Sequence, residues 1–186
     1  PIWGEVELAY RHDKGTVIGI TGTNGKTTTT SLTYDIMKRH AKKALLVGNI
    51  EIPYTGYALE SDKDSVTVAE ISSFQLETMV TFKPHVTAIL NITPDHLDRH
   101  KTLENYIAIK ESITKNQDEN DFCVLNYNDP VLREFGKTPR CKVIFFSSSE
   151  ELESGVFLRG DTMIIKENGV ETPVCTTKDT SLVGMH

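Results

Sequence analysis

The segment at residues 21–28, Thr-Gly-Thr-Asn-Gly-Lys-Thr-Thr, has residue types and spacing that suit phosphate binding. It follows an apolar run at residues 16–20 and precedes residues 29–40, where apolar side chains recur at helical spacing. A glycine-containing turn between a strand and a helix points several backbone N–H groups at one spot, which the positive end of the helix dipole also favours for anions. The pattern therefore predicts a site for nucleotide phosphates.

The residues expected to contact the nucleotide are Gly22, Thr23, Asn24, Gly25, Lys26, Thr27 and Thr28. Lys26 would place a positive charge near the outer phosphates, and the hydroxyl of Thr27 is placed to bind Mg²⁺. The segment departs from the general pattern G-x-x-x-x-G-K-[ST], because Ile20 stands where that pattern has its first glycine. The alternative is an ordinary Gly/Asn turn that begins a helix, with Lys26 on the surface.

Glu70 comes directly after another apolar run, at residues 65–69. A carboxylate there would repel a bare triphosphate, whereas a Mg²⁺ ion between the carboxylate and the phosphate oxygens would make the position favourable. We therefore expect Glu70 to bind metal, and the alternative is a surface carboxylate at the end of a strand. Ser72 and Gln75 follow with the spacing of a capping box, which predicts that a helix begins there.

His96 also follows an apolar run, within the sequence Thr-Pro-Asp-His. Its imidazole could contact phosphate or metal, with Asp95 or Asp98 orienting the ring. The alternative is a solvated loop histidine, which is what we expect of His85 and His100. The position just after a strand favours the first interpretation.

Asn49 and Lys110 are less distinctive by themselves. Asn49 comes shortly after an apolar run at residues 44–47. Lys110 lies on a helix predicted for residues 103–115, one turn after Tyr106. A lysine on a helix is usually exposed, so periodicity alone predicts no special role for Lys110.

Strands and helices alternate as far as about residue 147, which predicts an α/β fold with a mostly parallel sheet and helices on both faces. The predicted strands are residues 16–20, 44–47, 65–69, 86–90, 122–125 and 142–146. Later come short apolar segments and an Asn168-Gly169 pair, which predict a hairpin in a small antiparallel β extension. Ligands of such sheets bind beyond the carboxyl ends of the strands, so the polar clusters described above should meet at one edge.

The two ends of the chain have weaker patterns. Residues 1–14 are expected to be a lead-in, since Val6, Leu8 and Tyr10 alternate with polar residues as in an edge strand or a linker. The chain begins at Pro1 and stops at His186 without a terminating element, so we expect an excised domain or part of a longer chain.

The composition of the 186 residues excludes several classes of protein. There are 20 Lys and Arg residues against 26 Asp and Glu, a net charge of −6, with no basic tract, so nucleic acid is not an expected partner. Three widely spaced cysteines suit buried thiols in a reducing compartment. No apolar run approaches the ~20 residues that span a bilayer, and no signal peptide opens the sequence, so we expect a cytoplasmic monomer that does not enter membranes.

Together these motifs resemble those of the Mur ligase family, the ATP-dependent amino-acid ligases of bacterial cell-wall synthesis. Residues 21–28 resemble the family's nucleotide loop, which folylpolyglutamate synthases also carry. Residues 70–77 (EISSFQLE) and 90–100 (LNITPDHLDRH) resemble more specifically the members that add D-glutamate. Residues 47–50 resemble their glycine-asparagine turn, with Glu51 where a glycine is usual, and residues 182–186 resemble the start of a G-x-H-N motif.

The resemblance implies that residues 15–186 are a central ATP-binding domain, with residues 1–14 leading in from an N-terminal domain and the C-terminal ligase domain absent. It implies that Lys26 holds the β- and γ-phosphates, and that Thr27 and Glu70 hold one Mg²⁺ ion. A second ion would be held by His96 and Lys110, the latter carbamylated.

For the substrates, the resemblance implies that Asn49, Ser72 and His96 lie near a nucleotide-sugar or the transferring phosphoryl group. The complete enzyme would join D-glutamate to UDP-N-acetylmuramoyl-L-alanine through an acyl phosphate in peptidoglycan synthesis, and this domain alone would be inactive. The alternatives are another Mur-type or folylpolyglutamate-type amide ligase, or a nucleotide-binding domain without catalytic activity.

Overall fold

The computed structural model describes residues 2–50 and 52–179, and its centre is a sheet of nine strands. The strands are β1 (Thr16–Thr21), β2 (Lys43–Gly48), β3 (Ser65–Glu70), β4 (Val86–Ile89), β5 (Phe122–Asn126), β6 (Lys142–Ser147), β7 (Gly155–Arg159), β8 (Thr162–Glu167) and β9 (Val170–Thr176). Their order across the sheet is β2-β3-β1-β4-β5-β6-β7-β8-β9. Strands β1 to β7 are parallel, β8 pairs antiparallel with β7, and β9 pairs antiparallel with β8. The predicted fold class is confirmed.

Helices cover both faces of the sheet. They are α1 (Glu5–Tyr10), α2 (Lys26–His40), α3 (Ser73–Leu76), α4 (Leu97–His100), α5 (Leu103–Glu111) and α6 (Pro130–Phe135), with short 3₁₀ turns at Tyr54–Gly56, Ala58–Glu60, Ser112–Thr114 and Thr177–Asp179. On one face, α2 packs through Tyr34 and Met37 against Ile20 and Val68 of the strands. The core on the other face is larger and includes α1, α3, α5 and α6. Burial on both faces explains why the central strands are apolar almost without interruption.

Helix α2 begins three residues earlier than the apolar spacing predicts, at Lys26. Thr30 is buried against the sheet, whereas Leu32 and Ile36, two of the residues that define the helical spacing, are 41% and 45% exposed. The helix is therefore recognised correctly from the sequence, although these two apolar residues lie on its outer face.

The expectation of an edge strand at the N-terminus is wrong, because Val6 lies on helix α1. The other expectation, a lead-in from a preceding domain, stays a prediction. Val6 and Ala9 are three residues apart and pack into the core. Between them, Glu7 is fully buried and accepts hydrogen bonds from the backbone N–H groups of residues 80–82. Burial would raise the pKa of Glu7, but the Thr81 hydroxyl and the backbone donors lower it to about 2. The alternation of Val6, Leu8 and Tyr10 in the sequence could not reveal that Glu7 binds the backbone of residues 80–82.

Other local predictions are confirmed. Ser72 and Gln75 make both hydrogen bonds of a capping box at the start of α3. Asn168 and Gly169 have φ angles of 52° and 79°, as a tight hairpin turn between β8 and β9 requires. The helix predicted for residues 103–115 ends at Glu111 and continues only as a 3₁₀ turn.

The three cysteines are free thiols, of which Cys123 and Cys141 are buried as expected and Cys175 is half-buried. Within residues 2–50 and 52–179, no helix has both the length and the apolar character needed to cross a membrane.

Candidate active site

The polar clusters picked out from the sequence meet at the carboxyl edge of the sheet, defined here as the edge where the parallel strands end. Strands β2, β3, β1 and β4 are neighbours in that order, and Asn49, Glu70, the phosphate loop and His96 lie at or just past their ends. From β1 the chain runs to β2 and β3 on one side of β1, and after β3 it crosses to form β4 on the other side. Such a switch point opens a crevice between the strand ends, which is where ligands of α/β sheets bind.

The phosphate loop at residues 22–28 is shaped by the start of α2 and by the segment after β4. Gly25 precedes the helix with φ 81°, a left-handed conformation that glycine adopts without strain, and no side chain caps the helix there. The backbone N–H groups of Thr23 and Asn24 are held by the backbone and side-chain oxygens of Asn91, at 2.9 Å and 2.8 Å. The first N–H groups of the helix therefore remain available to an anion.

Lys26 lies over this loop. Its ammonium donates hydrogen bonds to the carbonyl oxygens of Gly22 and Thr23, at 3.1 Å and 2.9 Å. The contacts place the positive charge beside the N–H groups at the helix start, where both would attract the same anion.

Glu70 connects three elements of the site. Its side chain accepts hydrogen bonds from the Thr27 hydroxyl at 2.7 Å and from the Asn49 side-chain amide at 3.0 Å, and the residue is only 2% exposed. Asn49 also donates its backbone N–H to the Glu70 carbonyl, at 2.9 Å. Gly48 makes this approach possible, because a Cβ atom there would lie 2.2 Å from the same carbonyl oxygen.

The residues around Glu70 fit a Mg²⁺ ion. Carboxylate and hydroxyl oxygens are the hard donors that Mg²⁺ prefers, and the ion commonly uses one or two carboxylates together with phosphate and water. Within the part of the chain that the structure describes, no three His, Cys, Asp or Glu side chains converge as a complete metal cage. The arrangement thus suits a cation shared with a phosphate ligand.

His96 is held in an unusual backbone conformation at the start of α4, with φ 50° and ψ 34°. A left-handed conformation is uncommon for a residue other than glycine and often marks a functional position. The Asp95 carboxylate accepts the backbone N–H of His96 at 2.8 Å and lies 3.4 Å from its Nε2 atom, while the Phe74 ring packs beside the imidazole. Asp95, rather than Asp98, therefore orients the ring.

Lys110 is not the surface lysine that periodicity suggests. It is 1% exposed, and its Nζ atom lies 3.3 Å from the Thr21 hydroxyl and 5.0 Å from the centre of the Tyr106 ring. Burial, together with the positive charge of Lys26, lowers the pKa of Lys110 to about 7, although Asp95 opposes the change. The lysine points inward because it follows Tyr106 by four residues and shares its face of α5.

His100 is also placed differently from the expectation of a solvated loop. It is 4% exposed at the end of α4, a single-turn helix that the sequence pattern did not reveal, and its Nε2 atom lies 3.0 Å from the Ser73 hydroxyl. Ser73 was also missed, and the capping box beside it was the signal that could have drawn attention to this turn. His85 is exposed as expected, next to Asp121.

A cavity of about 170 Å³ joins these side chains. It is lined by Lys26, Asn49, Ser72, Ser73, Phe74, Asp95, His96, Tyr106 and Lys110. The hydroxyl of Ser72 accepts the Gln75 N–H as the helix cap, so Ser72 contributes to the cavity wall from a fixed position. Glu51 and the tail at residues 182–186, which also carried expectations, lie outside the described residues.

Comparison with known proteins gives matches over nearly the whole chain. The family model of the Mur ligase middle domain matches residues 20–185. The UDP-N-acetylmuramoylalanine–D-glutamate ligase of Lachnoclostridium phytofermentans is 52% identical over 186 residues, which is all of this chain and 41% of that protein. The ligase of the same name from Lachnospira eligens is 48% identical over the same shares.

The fold is also found among solved structures. The MurF ligase of Thermotoga maritima in complex with ADP has a TM-score of 0.64 and 22% identity, over 90% of this chain and 42% of that one. The chain thus spans about two fifths of the length of the curated relatives it matches. With a family model that covers nearly its whole length, the chain belongs to the Mur ligase family and corresponds to the middle domain.

Proposed function

We propose that this chain is the central ATP-binding domain of a ligase that joins D-glutamate to UDP-N-acetylmuramoyl-L-alanine in peptidoglycan synthesis. Relatives of that name match the whole chain at 45–52% identity. Residues 15–186 would form the domain and residues 1–14 the lead-in, while neighbouring domains complete the site. The reaction would take place in the cytoplasm, and we expect the enzyme to be a monomer.

The observation that carries the proposal is a cavity lined by the phosphate-loop lysine and a buried lysine, next to a buried carboxylate, Glu70, that is hydrogen-bonded to the loop. The Thr27–Glu70 hydrogen bond links the loop directly to the carboxylate, and Lys26 and Lys110 line the same space. A surface turn that merely begins a helix would not need a carboxylate with 2% exposure beside it. The ADP complex of the similar Thermotoga maritima ligase supports ATP as the nucleotide.

In the first step, a carboxylate oxygen of the substrate would attack the γ-phosphorus of ATP, forming an acyl phosphate and releasing ADP. Two anions must approach each other, so the step depends mainly on positioning and on positive charge. Lys26 and the N–H groups at the start of α2 would hold the outer phosphates. Thr27 and Glu70 would hold Mg²⁺, which neutralises the charge that builds up between the two reactants.

In the second step, the amine of D-glutamate would attack the acyl carbon and displace phosphate, giving an amide and releasing a proton. Asn49, Ser72 and His96 lie on the cavity wall, where they would position the acyl end of the nucleotide-sugar. Because the neighbouring domains would supply the site for the incoming amino acid, the domain alone would not make the product.

Lys110 would act as a carbamate. The neutral amine attacks CO₂, forming an N–C bond and releasing one proton, and the product is an anion that could help His96 hold a second Mg²⁺ ion. A pKa of about 7 supports this, since roughly half of the Lys110 side chains are then neutral at pH 7. An ordinary lysine, almost fully protonated at that pH, would react far less and would repel the cations.

The carbamate is tested by ¹³C NMR of the full-length protein in labelled bicarbonate, with Mg²⁺ and a non-hydrolysable ATP analogue. We expect a carbamate signal at pH 8 that is absent from the Lys110→Ala variant and present in a Lys101→Ala control, which removes an exposed lysine. Because only the neutral amine reacts, the signal should weaken as the pH falls below about 7. A wild-type protein without the signal at pH 8 would contradict the carbamate.

The proposed reaction is tested by mass spectrometry of the products that the full-length enzyme forms from ATP, UDP-N-acetylmuramoyl-L-alanine and a panel of amino acids. We expect a product with D-glutamate. A product with a different amino acid would indicate another Mur-type or folylpolyglutamate-type ligase, and no product would indicate a nucleotide-binding domain without catalysis. The isolated domain should make no product and should bind ATP at least ~10-fold more weakly in calorimetry, because two walls of the site are missing.

A further inference from the structure

Glu77, His100 and Ser73 form a chain of polar contacts that the proposed mechanism does not use. The Nε2 atom of His100 lies 3.0 Å from the Ser73 hydroxyl, and its Nδ1 atom lies 3.3 Å from Oε1 of Glu77. The imidazole is completely buried and stacks on Phe74, with the ring centres 5.4 Å apart. The packing holds the ring between the carboxylate and the hydroxyl.

The carboxylate determines which nitrogen of His100 carries the proton. Arg99 donates a hydrogen bond to Glu77 at 2.7 Å, and this contact lowers the pKa of Glu77 below its ordinary value despite partial burial. In the described part of the chain, Nδ1 has no hydrogen bond of good geometry, so its surroundings are set by the negative oxygen at 3.3 Å. A lone pair facing that oxygen would be repelled, whereas an N–H would be attracted.

With the proton on Nδ1, Nε2 presents a lone pair and must accept the hydrogen bond from Ser73. The serine proton is then directed at His100, which leaves the lone pairs of the serine oxygen as its remaining hydrogen-bonding capacity. Ser73 is 3% exposed and lines the 170 Å³ cavity beside Lys26 and Lys110. The cavity thus contains a hydroxyl that is fixed as an acceptor.

The Ser73 oxygen can accept a hydrogen bond only from a group in the cavity that carries a proton. The phosphate and the carboxylate that meet in the proposed reaction are acceptors themselves. Mg²⁺ usually keeps several of its waters in such sites, and those waters donate hydrogen bonds. The donors of the cavity wall already have other partners: Lys26 contacts Gly22 and Thr23, Asn49 contacts Glu70, Tyr106 contacts Thr23, and Lys110 contacts Thr21. The hydration shell of the cation is therefore the partner that matches Ser73.

We propose that Glu77 and His100 are positioning residues that orient the Ser73 hydroxyl to accept a hydrogen bond from water on the divalent cation. The inference rests on the proposed function, because it assumes a cation–nucleotide complex in this cavity. It predicts that cation affinity depends on the acceptor at the Nε2 position of residue 100, and not simply on a ring that fills the space.

The test measures Mn²⁺ binding by electron paramagnetic resonance, using the full-length protein with a non-hydrolysable ATP analogue. Ser73→Ala and His100→Phe should each weaken Mn²⁺ binding ~10-fold, the size of effect typical for partners that orient metal ligands. His100→Gln should restore most of the affinity, since its amide oxygen supplies an acceptor near the Nε2 position. The matched control is His85→Phe, an exposed histidine beside Asp121 that should bind Mn²⁺ like the wild type.

Enzyme kinetics give a second readout. The Mg²⁺ concentration for half-maximal activity should rise in Ser73→Ala and His100→Phe, while the KM for ATP at saturating Mg²⁺ stays close to the wild-type value. Wild-type Mn²⁺ affinity in folded Ser73→Ala protein, or a His100→Gln variant as weak as His100→Phe, would overturn the proposal. If the wild-type protein forms no amide product but the variants change Mn²⁺ affinity as predicted, the proposed reaction fails. The inference that Glu77 and His100 orient Ser73 then stands.

Discussion

Replacement of Lys26 by alanine in the full-length protein is expected to lower kcat for amide formation about 10³-fold and to raise the KM for ATP. The ammonium lies over the phosphate loop, where it would meet the charge that develops as the phosphoryl group transfers. Removing one preorganised charge or donor of this kind commonly costs 10²- to 10³-fold, and here the ground-state contact with phosphate is lost as well. The rate is measured from phosphate release coupled to product analysis.

The matched control is Lys38→Ala. Lys38 is exposed in the last turn of the same helix, twelve residues or about 18 Å along its axis from Lys26, and should leave the rate unchanged. The fold of the Lys26 variant should persist, because the side chain is only half-buried and its hydrogen bonds go to two carbonyl oxygens of the adjacent loop. Turnover within tenfold of wild type would show that phosphate does not bind on this loop.

Replacement of Glu70 by alanine is expected to reduce product formation below detection, by 10³-fold or more. The change removes the carboxylate proposed to hold Mg²⁺ and releases Thr27 and Asn49 from the hydrogen bonds that fix them. Thr27 and Asn49 each lose a hydrogen bond, and because both residues are exposed and can bond water instead, we expect a loss of only about 1 kcal/mol in the free energy of unfolding. Denaturant titration and Mn²⁺ binding measure the two effects separately.

The Glu70→Gln variant keeps the shape of the side chain but removes its negative charge, so it tests the two contributions separately. It retains an acceptor for Thr27 and should recover part of the stability, but it should remain inactive because a neutral amide holds Mg²⁺ poorly. Glu134→Ala serves as a control, since Glu134 is an exposed carboxylate on α6. If both Glu70 variants form product at near wild-type rates, this edge of the sheet is not the catalytic centre.

Several features of the site follow from local sequence alone. The phosphate loop is predictable because the turn, the glycines and the start of α2 are adjacent in the chain, and their geometry depends on backbone preferences there. Glu70 and Asn49 could be placed because each comes at or just past the end of an apolar run, and parallel strands end at the same edge. The capping box and the Asn-Gly hairpin are likewise determined by residues at most a few positions apart.

The burial of Lys110 and His100 was decided by the tertiary structure. Whether a lysine on α5 faces solvent depends on which elements cover that helix, and those elements come from distant parts of the chain, such as Thr21 at the end of β1. His100 is buried because Ser73 and Phe74 pack around a helix too short to show a period. The sequence by itself therefore determined the phosphate loop and the edge where the ligands gather, because these depend on neighbouring residues. Only tertiary packing, which sets desolvation, decided that Lys110 has a lowered pKa and that His100 contacts Ser73.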